Sequence, residues 1–440
     1  MSNSQPKLNR RNFTVAVGAS VIGSGVFVNP TPAQESTSPN ERLNLAAIGV
    51  TGRAAGNIKG CATQNMIAMV DIDSKLLETG TQAYPNARKY TDFRVMLEKE
   101  AEKIDGVIVS TPDHTHAPAA AMALRMKKHV YCEKPLTHTV YEARTLANIA
   151  KENKLKTQMG TQIHALGNYR RVVELVESGA IGKVERVHVW ANAVYTGAKF
   201  VQTEKPDHVD WDLWLGPAPQ RDYCADIHPF NWRKFWDYGR GSLGDFGCHY
   251  MDLAHWALEL RNPVRVKAQG PAVDPVSTPA WCIVDYQYPA RGKKPPVHLT
   301  WYDSGRQPKE IQGLKDLAGN AIAPWGGGQL FIGSQGMILS NYSNHMVFSL
   351  DGQQIKHKVP DPWIPDSIGH HNEWLQAIKE DGDTTCNFDY SGALTESVLL
   401  GTVAYQSGEE LQWNSKKFKV TNSEQAQQLV HKEYRKGWEL

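Results

Sequence analysis

Leu43-Asn44-Leu45-Ala46-Ala47-Ile48-Gly49-Val50-Thr51-Gly52-Arg53-Ala54-Ala55-Gly56 opens as an apolar strand, ends it in glycine and turns at once into small residues that can start a helix. A buried parallel strand is apolar on both faces, and a strand–glycine–helix turn brings the helix-start N–H groups close to an anion such as a pyrophosphate. The dinucleotide frame G-x-G-x-x-G falls on Gly49, Thr51 and Ala54, so only its first position is glycine, with small residues at the other two. Together with Gly52 and Arg53 these residues form the expected phosphate loop. Met66 to Asp73 (MIAMVDID) reads as a second strand, and Asp71 follows Gly49 by 22 residues. A carboxylate there can accept both ribose hydroxyls and repels a 2′-phosphate, which favours NAD over NADP. Arg53 could also reach a phosphate, so NADP stays open.

Downstream the same grammar repeats. Ile104 to Thr111, His129 to Glu133 and Leu155 to Gly160 read as further buried strands, separated by helices over 92–102, 117–127 and 139–153. Repeated β-α units of this kind predict a doubly wound parallel sheet. After residue 163 the pattern changes to alternating or aromatic-rich strands: 184–193, 264–273, 281–288, 297–302, 329–332 and 336–340. The fold class expected is therefore α/β: a Rossmann dinucleotide-binding domain over 43–163, then an α+β domain over 164–440 with a mostly antiparallel open sheet and helices on one face. An open face of that kind suits a homodimer or homotetramer.

Ahead of the first strand stands Asn9-Arg10-Arg11-Asn12-Phe13-Thr14, then an apolar run to Val28 and small residues ending at Ala33. Paired arginines before a moderate apolar core read as a twin-arginine export signal over 1–33, followed by a Pro/Ser/Thr-rich linker over 34–42. The twin-arginine export machinery is then a partner and the periplasm, or another exported site, the destination. No later stretch reaches about 18 apolar residues, so no stable membrane anchor is expected. The 48 basic and 46 acidic residues leave a net charge of +2 without a basic block, which argues against nucleic acid as a partner. No two of the six cysteines lie closer than 24 positions, which excludes CxxC metal or redox motifs. His370-His371 with Glu373 lacks HExxH spacing, and no metal is expected. Several of the 13 tryptophans fall between Trp190 and Trp256, where they could line a carbohydrate cleft or fill the core.

Ser110-Thr111-Pro112-Asp113-His114-Thr115-His116 and Cys132-Glu133-Lys134-Pro135 follow the Rossmann loop in order. The combination resembles the glucose–fructose oxidoreductase/inositol dehydrogenase/rhizopine catabolism (Gfo/Idh/MocA) family. The likeness continues through 179–184, 211–219 and 231–252, and weakens between about 265 and 365. By resemblance, Thr111, Pro112 and His116 lie along the dinucleotide, Glu133 and Lys134 sit at its nicotinamide end, and Lys134 contacts a substrate hydroxyl. The family's Asp-x-x-x-His matches Asp245 and His249. His164 stands where an arginine is common, and it is carried, with Asp252, as a substrate contact. The resemblance implies hydride transfer between the nicotinamide cofactor and a sugar, polyol or sugar derivative.

The residues themselves support that chemistry. Gly241-Ser242-Leu243-Gly244 reads as a glycine-rich loop entering a helix. At about 3.6 residues per turn, positions 245, 249 and 252 share one face within roughly 60°. Oxidising an alcohol requires the hydroxyl proton to leave as hydride leaves carbon, and a histidine titrating near neutrality suits that task. His249 is expected as general base, Lys134 as electrostatic partner or proton relay, and Asp245 as the group orienting the imidazole. Free NAD is scarce outside the cytoplasm, so export implies a tightly bound cofactor. The alternative expectation is a redox-neutral glycoside hydrolase, lyase or epimerase that oxidises its substrate transiently.

Overall fold

The computed structural model describes residues 41–440; the expected export signal and the expected linker up to residue 40 lie outside the described residues. Strand β1 (Asn44–Ile48) turns into helix α1 (Arg53–Gly60), then β2 (Asn65–Val70), α2 (Ser74–Thr81), β3 (Arg88–Tyr90), α3 (Phe93–Glu100), β4 (Gly106–Val109), α4 (Asp113–Arg125), β5 (His129–Cys132), α5 (Val140–Glu152) and β6 (Thr157–Met159). These six strands form one parallel sheet in the order β3-β2-β1-β4-β5-β6. Alternate residues of β1 feed two cores: Ala46 and Ile48 pack on one face, Leu45 and Ala47 on the other. That two-sided burial explains the continuous apolar run. The strand order reverses between β1 and β4, which opens a crevice at the carboxyl ends of the strands.

The chain continues through α6 (Gly167–Glu177), β7 (Val184–Ala191), α7 (Trp211–Leu215), α8 (Gly241–Tyr250), α9 (Asp252–Ala257), β8 (Arg265–Gln269), β9 (Ile283–Tyr288), β10 (Val297–Asp303), β11 (Gly327–Gly333), β12 (Met337–Ser340), β13 (His345–Phe348), α10 (His370–Glu380), α11 (Phe388–Ser407), β14 (Leu411–Asn414), β15 (Lys419–Val420) and α12 (Glu424–Gln428). Nine strands make the second sheet, ordered β13-β12-β11-β7-β10-β9-β8-β14-β15. Every pairing is antiparallel except β7 with β10.

Several expectations are corrected. Helix α4 starts at Asp113 rather than 117, with Pro112 as its cap, because proline's fixed φ suits a helix entry. The residues 241–244 are the first turn of α8, not a loop, and the helix expected to run on through Asp252 breaks at Met251, where α9 begins. Strands β3, β13, β14 and β15 carry too few apolar residues or are too short to show a period.

Two helices from beyond residue 163 hold the halves together. α11 is buried nearly all round. It meets α5 where a β-carbon on Gly392 would stand 3.2 Å from that of Ala147, and α8 where one on Gly247 would stand 2.8 Å from Val398. α10 returns to the parallel sheet: Trp374 is fully buried in the core with Leu45, Ile108 and Tyr131, and its indole N–H donates to Lys156 O at 3.2 Å. The Trp374→Ala variant is expected to lose about 3–5 kcal/mol, the range for deleting a buried indole, read as a lower denaturant midpoint.

Candidate functional site

At the carboxyl ends of β1 and β4 the backbones nearly touch. Gly49 has φ 85°, and a β-carbon there would lie 2.6 Å from Ser110 O, so only glycine fits. Gly52, at φ 58°, caps α1 without any side-chain bond, and nothing stands within 4 Å of its missing β-carbon. The Gly52–Arg53 start of α1 therefore borders open space, as a pyrophosphate requires, while the Ala54 N–H donates to Thr51 O at 3.1 Å. Thr51, Gly52, Arg53, Asp71, Thr111 and Pro112 all line one cavity of about 520 Å³, which runs on to Glu133 and Lys134. Asp71 accepts from Val50 N (3.3 Å) and Asp73 N (3.1 Å), while burial pushes its pKa up to about 6. These features fit a dinucleotide stretched between Asp71 and Lys134.

Two expected cofactor contacts lie elsewhere. Ala54 is buried and does not line the cavity; its small size lets α1 close on the sheet. His116 is also buried: its Nδ1 lies 2.8 Å from Pro135 O and its Nε2 2.8 Å from Thr111 O. His116 thus sits between the loops after β4 and β5, and its neutral ring donates its single N–H to one of the two carbonyls.

Glu133 accepts from Arg53 Nε (3.1 Å), Asn57 Nδ2 (3.0 Å) and Gln162 Nε2 (2.7 Å). Burial works to raise its pKa, but Arg53 and Lys134 outweigh that and keep it ionised. Arg53 is thereby drawn towards Glu133 and away from Asp71. Next door, Lys134 Nζ donates to Asp245 Oδ1 at 2.5 Å and to Asp245 O at 2.9 Å. Asp245 also accepts from Tyr195 OH (3.0 Å), and Arg233 Nε stands 3.4 Å away. Burial opposes ionisation of Asp245, yet the Lys134 and Arg233 charges hold it well below the usual carboxylate range.

His249 lies one turn after Asp245 on α8. Its Nδ1 has no hydrogen-bond partner among the described residues. Burial first, and the Lys134 charge second, push its pKa down to about 3. Two expectations are corrected here: the imidazole does not titrate near neutrality, and Asp245 does not orient it, because that carboxylate is committed to Lys134, Tyr195 and Arg233.

His164 and Asp252 do not face the cleft. Both are at most 1% exposed. His164 Nδ1 lies 2.9 Å from Asp252 Oδ2, Trp256 stacks on the imidazole at 4.0 Å, and Tyr390 OH donates to Asp252 Oδ1 at 2.7 Å. The break at Met251 turns Asp252 inward. Cys386 brings a third potential ligand atom within 4.8 Å of this pair, and burial pushes its thiol pKa well up.

Sequence reasoning missed Tyr195 and Arg233, whose roles depend on distant loops meeting, and it quoted Asp113 without giving it a role. Asp113 lines the cavity, is 2% exposed and makes no side-chain hydrogen bond among the described residues; burial pushes its pKa up to about 8. Trp214, Phe230 and Trp232 add an aromatic wall to the same cavity.

Two family models match the chain, together over more than half of its length: an oxidoreductase family NAD-binding Rossmann fold over residues 20–161, and the C-terminal alpha/beta domain of an oxidoreductase family over residues 168–294. Among curated proteins, the uncharacterized oxidoreductase C115.03 of Schizosaccharomyces pombe is 25% identical over 218 residues, covering 49% of this chain and 51% of the relative. A levoglucosan dehydrogenase of Pseudarthrobacter phenanthrenivorans is 27% identical, covering 38% and 36%. The chain thus spans about half the length or less of these relatives. The WlbA dehydrogenase of Bordetella pertussis, solved with NADH and UDP-GlcNAcA, shares the fold with a TM-score of 0.58 at 15% identity, covering 85% of this chain and 99% of that one.

The Lys134 charge lowers the pKa of both Asp245 and His249. In Lys134→Met, Asp245 should therefore move up towards the ordinary carboxylate range and His249 should rise above about 3. Carboxyl and imidazole NMR titrations read both shifts; an unmoved His249 would mean that burial alone sets its proton affinity.

Proposed function

Because the chain belongs to the Gfo/Idh/MocA oxidoreductase family, we propose that it is an NAD-dependent oxidoreductase that transfers hydride to or from a carbinol carbon of a sugar, polyol or sugar derivative. One observation carries this reading: Lys134, which lines the same cavity as Asp71, is joined at 2.5 Å to Asp245 just behind that wall, on the α8 turn that also bears His249. The sugar-related name of the levoglucosan relative and the aromatic wall support the substrate class.

The dinucleotide, when bound, supplies the hydride acceptor or donor. The Gly52–Arg53 start of α1 would hold its pyrophosphate, and Asp71 would accept hydrogen bonds from its ribose hydroxyls. Arg53 is committed to Glu133 and, among the described residues, no cation pairs with Asp71, which favours NAD. Lys134 uses two of its three donors on Asp245 and offers the third to the substrate oxygen, where it stabilises developing alkoxide character. Asp245 holds that ammonium in place; Tyr195 and Arg233 hold Asp245. His249, neutral throughout the physiological range, takes the hydroxyl proton on Nε2, because its Nδ1 is buried, and passes it on to water rather than storing it. Export by the twin-arginine route, a cofactor loaded before export and tightly retained, and a homodimeric or homotetrameric state are part of the same proposal and rest on the sequence features alone.

Ultraviolet absorbance of the reduced nicotinamide across a panel of sugars and polyols tests the activity. Lys134→Met and His249→Asn should each lower kcat by about 10²–10⁴-fold on any active substrate. Loss of neither would remove both residues from the reaction. Nucleotide released on denaturing the purified protein tests retention. Asp71 gives a separate handle on pH. Its pKa is raised, so it is protonated below about 6 and then cannot accept from both hydroxyls. NAD affinity should weaken as pH falls through that value, and Asp71→Asn should bind NAD weakly without this dependence, as followed by calorimetry.

A further inference from the structure

We propose that Trp438, carried by the segment Lys432–Trp438, is the wall on which the adenine of the cofactor stacks, so that this late segment is a working part of the dinucleotide site. The inference rests on the NAD reading above and deepens it.

A carboxylate at the end of β2 marks the adenosine ribose, so the adenine belongs beyond it, on the β3 side. On that side the cavity is bounded by Ile72, Thr91, Phe93 and the indole of Trp438. Trp438 is only 6% exposed. Its ring meets Phe93 edge-on at 5.9 Å, and a β-carbon on Gly216 would stand 3.6 Å from it and 2.8 Å from Thr115. The indole therefore reaches from the start of α3 to the first turn of α4. Arg94 stands over the ring at 4.1 Å, fixed by Asp92 through Nη2 at 2.6 Å and Nε at 3.0 Å, and Arg435 stands farther off, at 5.9 Å from the ring centroid. A guanidinium clamped in this way holds the ring still, and a fixed, electron-rich ring lining a cavity suits a purine face.

The segment is fastened outside the cavity. Arg435 donates to Asp212 Oδ1 (2.6 Å) and to Gly216 O (2.9 Å), and its backbone N–H donates to Pro217 O (3.2 Å). Lys432 Nζ pairs with Glu142 at 2.8 Å. The Arg435 tethers end on α7 and the turn after it and the Lys432 pair on α5, so the indole is held in place without using any group that faces the cleft. The plain alternative is that Trp438 only plugs the gap between α3 and α4, in which case its loss would lower stability and leave cofactor affinity alone.

Calorimetry on the full chain with NAD, ADP-ribose and nicotinamide mononucleotide separates the two. Trp438→Ala should weaken NAD and ADP-ribose alike by about tenfold or more, as expected for losing one base–aromatic stack, while leaving the mononucleotide unchanged. Trp438→Phe should retain most of the affinity. If Trp438→Ala fails to fold by circular dichroism, Arg435→Ala, which cuts the tether outside the cavity, should speed NAD release in stopped-flow displacement. Affinities for NAD and ADP-ribose that match the wild type, an equal loss for the mononucleotide, or an unchanged release rate would each overturn the proposal. Wild-type protein that binds neither NAD nor ADP-ribose would overturn the NAD reading itself and this inference with it.

Discussion

The 2.5 Å contact between Lys134 Nζ and Asp245 Oδ1 is the constraint on which the site depends. One partner comes from the loop after a strand of the parallel sheet, the other from a helix laid against the antiparallel one. Both side chains are largely buried, at 13% and 7% exposure, so neither charge can be left alone. Removing one partner of such a pair typically costs about 3–5 kcal/mol, because the other remains desolvated and unpaired. The pair therefore fixes where α8 stands relative to β5, and with it the distance from His249 to the phosphate loop.

That placement is possible only because the packing around it is close. Gly247 lets α8 lie on Val398 of α11, and Gly392 lets α11 lie on α5; a β-carbon at either position would push the helices apart. α11, buried on nearly all faces, acts as the shared spine. α10 closes the arrangement from the other side by returning Trp374 to the core of the parallel sheet. Nothing in this scheme treats residue 163 as a clean divide: the later part of the chain supplies core, clamp and cleft wall to the earlier part.

Concentrated charge in a dry cleft also decides protonation. Lys134 and Arg233 keep Asp245 ionised against its burial, the same Lys134 charge adds to burial in keeping His249 neutral, and burial pushes Asp113, which has no hydrogen-bonding partner among the described residues, up to about 8. The environment pushes neighbouring titratable groups apart, which is the usual condition for distinct acid and base roles.

The parallel sheet was legible in the sequence because its cause is local: strands buried on both faces must be apolar throughout, Gly49 must be glycine where the chain passes Ser110 O, and Asp71 must end its strand. Lys134, Asp245 and His249 were legible too, as residue types in a recognisable order. The sequence did not reveal what each of them touches. The periodicity that put Asp252 on the face of Asp245 and His249 assumed one unbroken helix, and the break at Met251 instead turned Asp252 towards His164 and Tyr390. His116 kept its place in the motif but sits buried between two carbonyls. Tyr195, Arg233 and Trp438 became part of the cleft only when loops far apart in the chain met over it. Local pattern thus determined the secondary structure and the inventory of reactive groups, whereas their partners and proton affinities depend on burial and on charges brought together from distant segments, which only the tertiary structure decides.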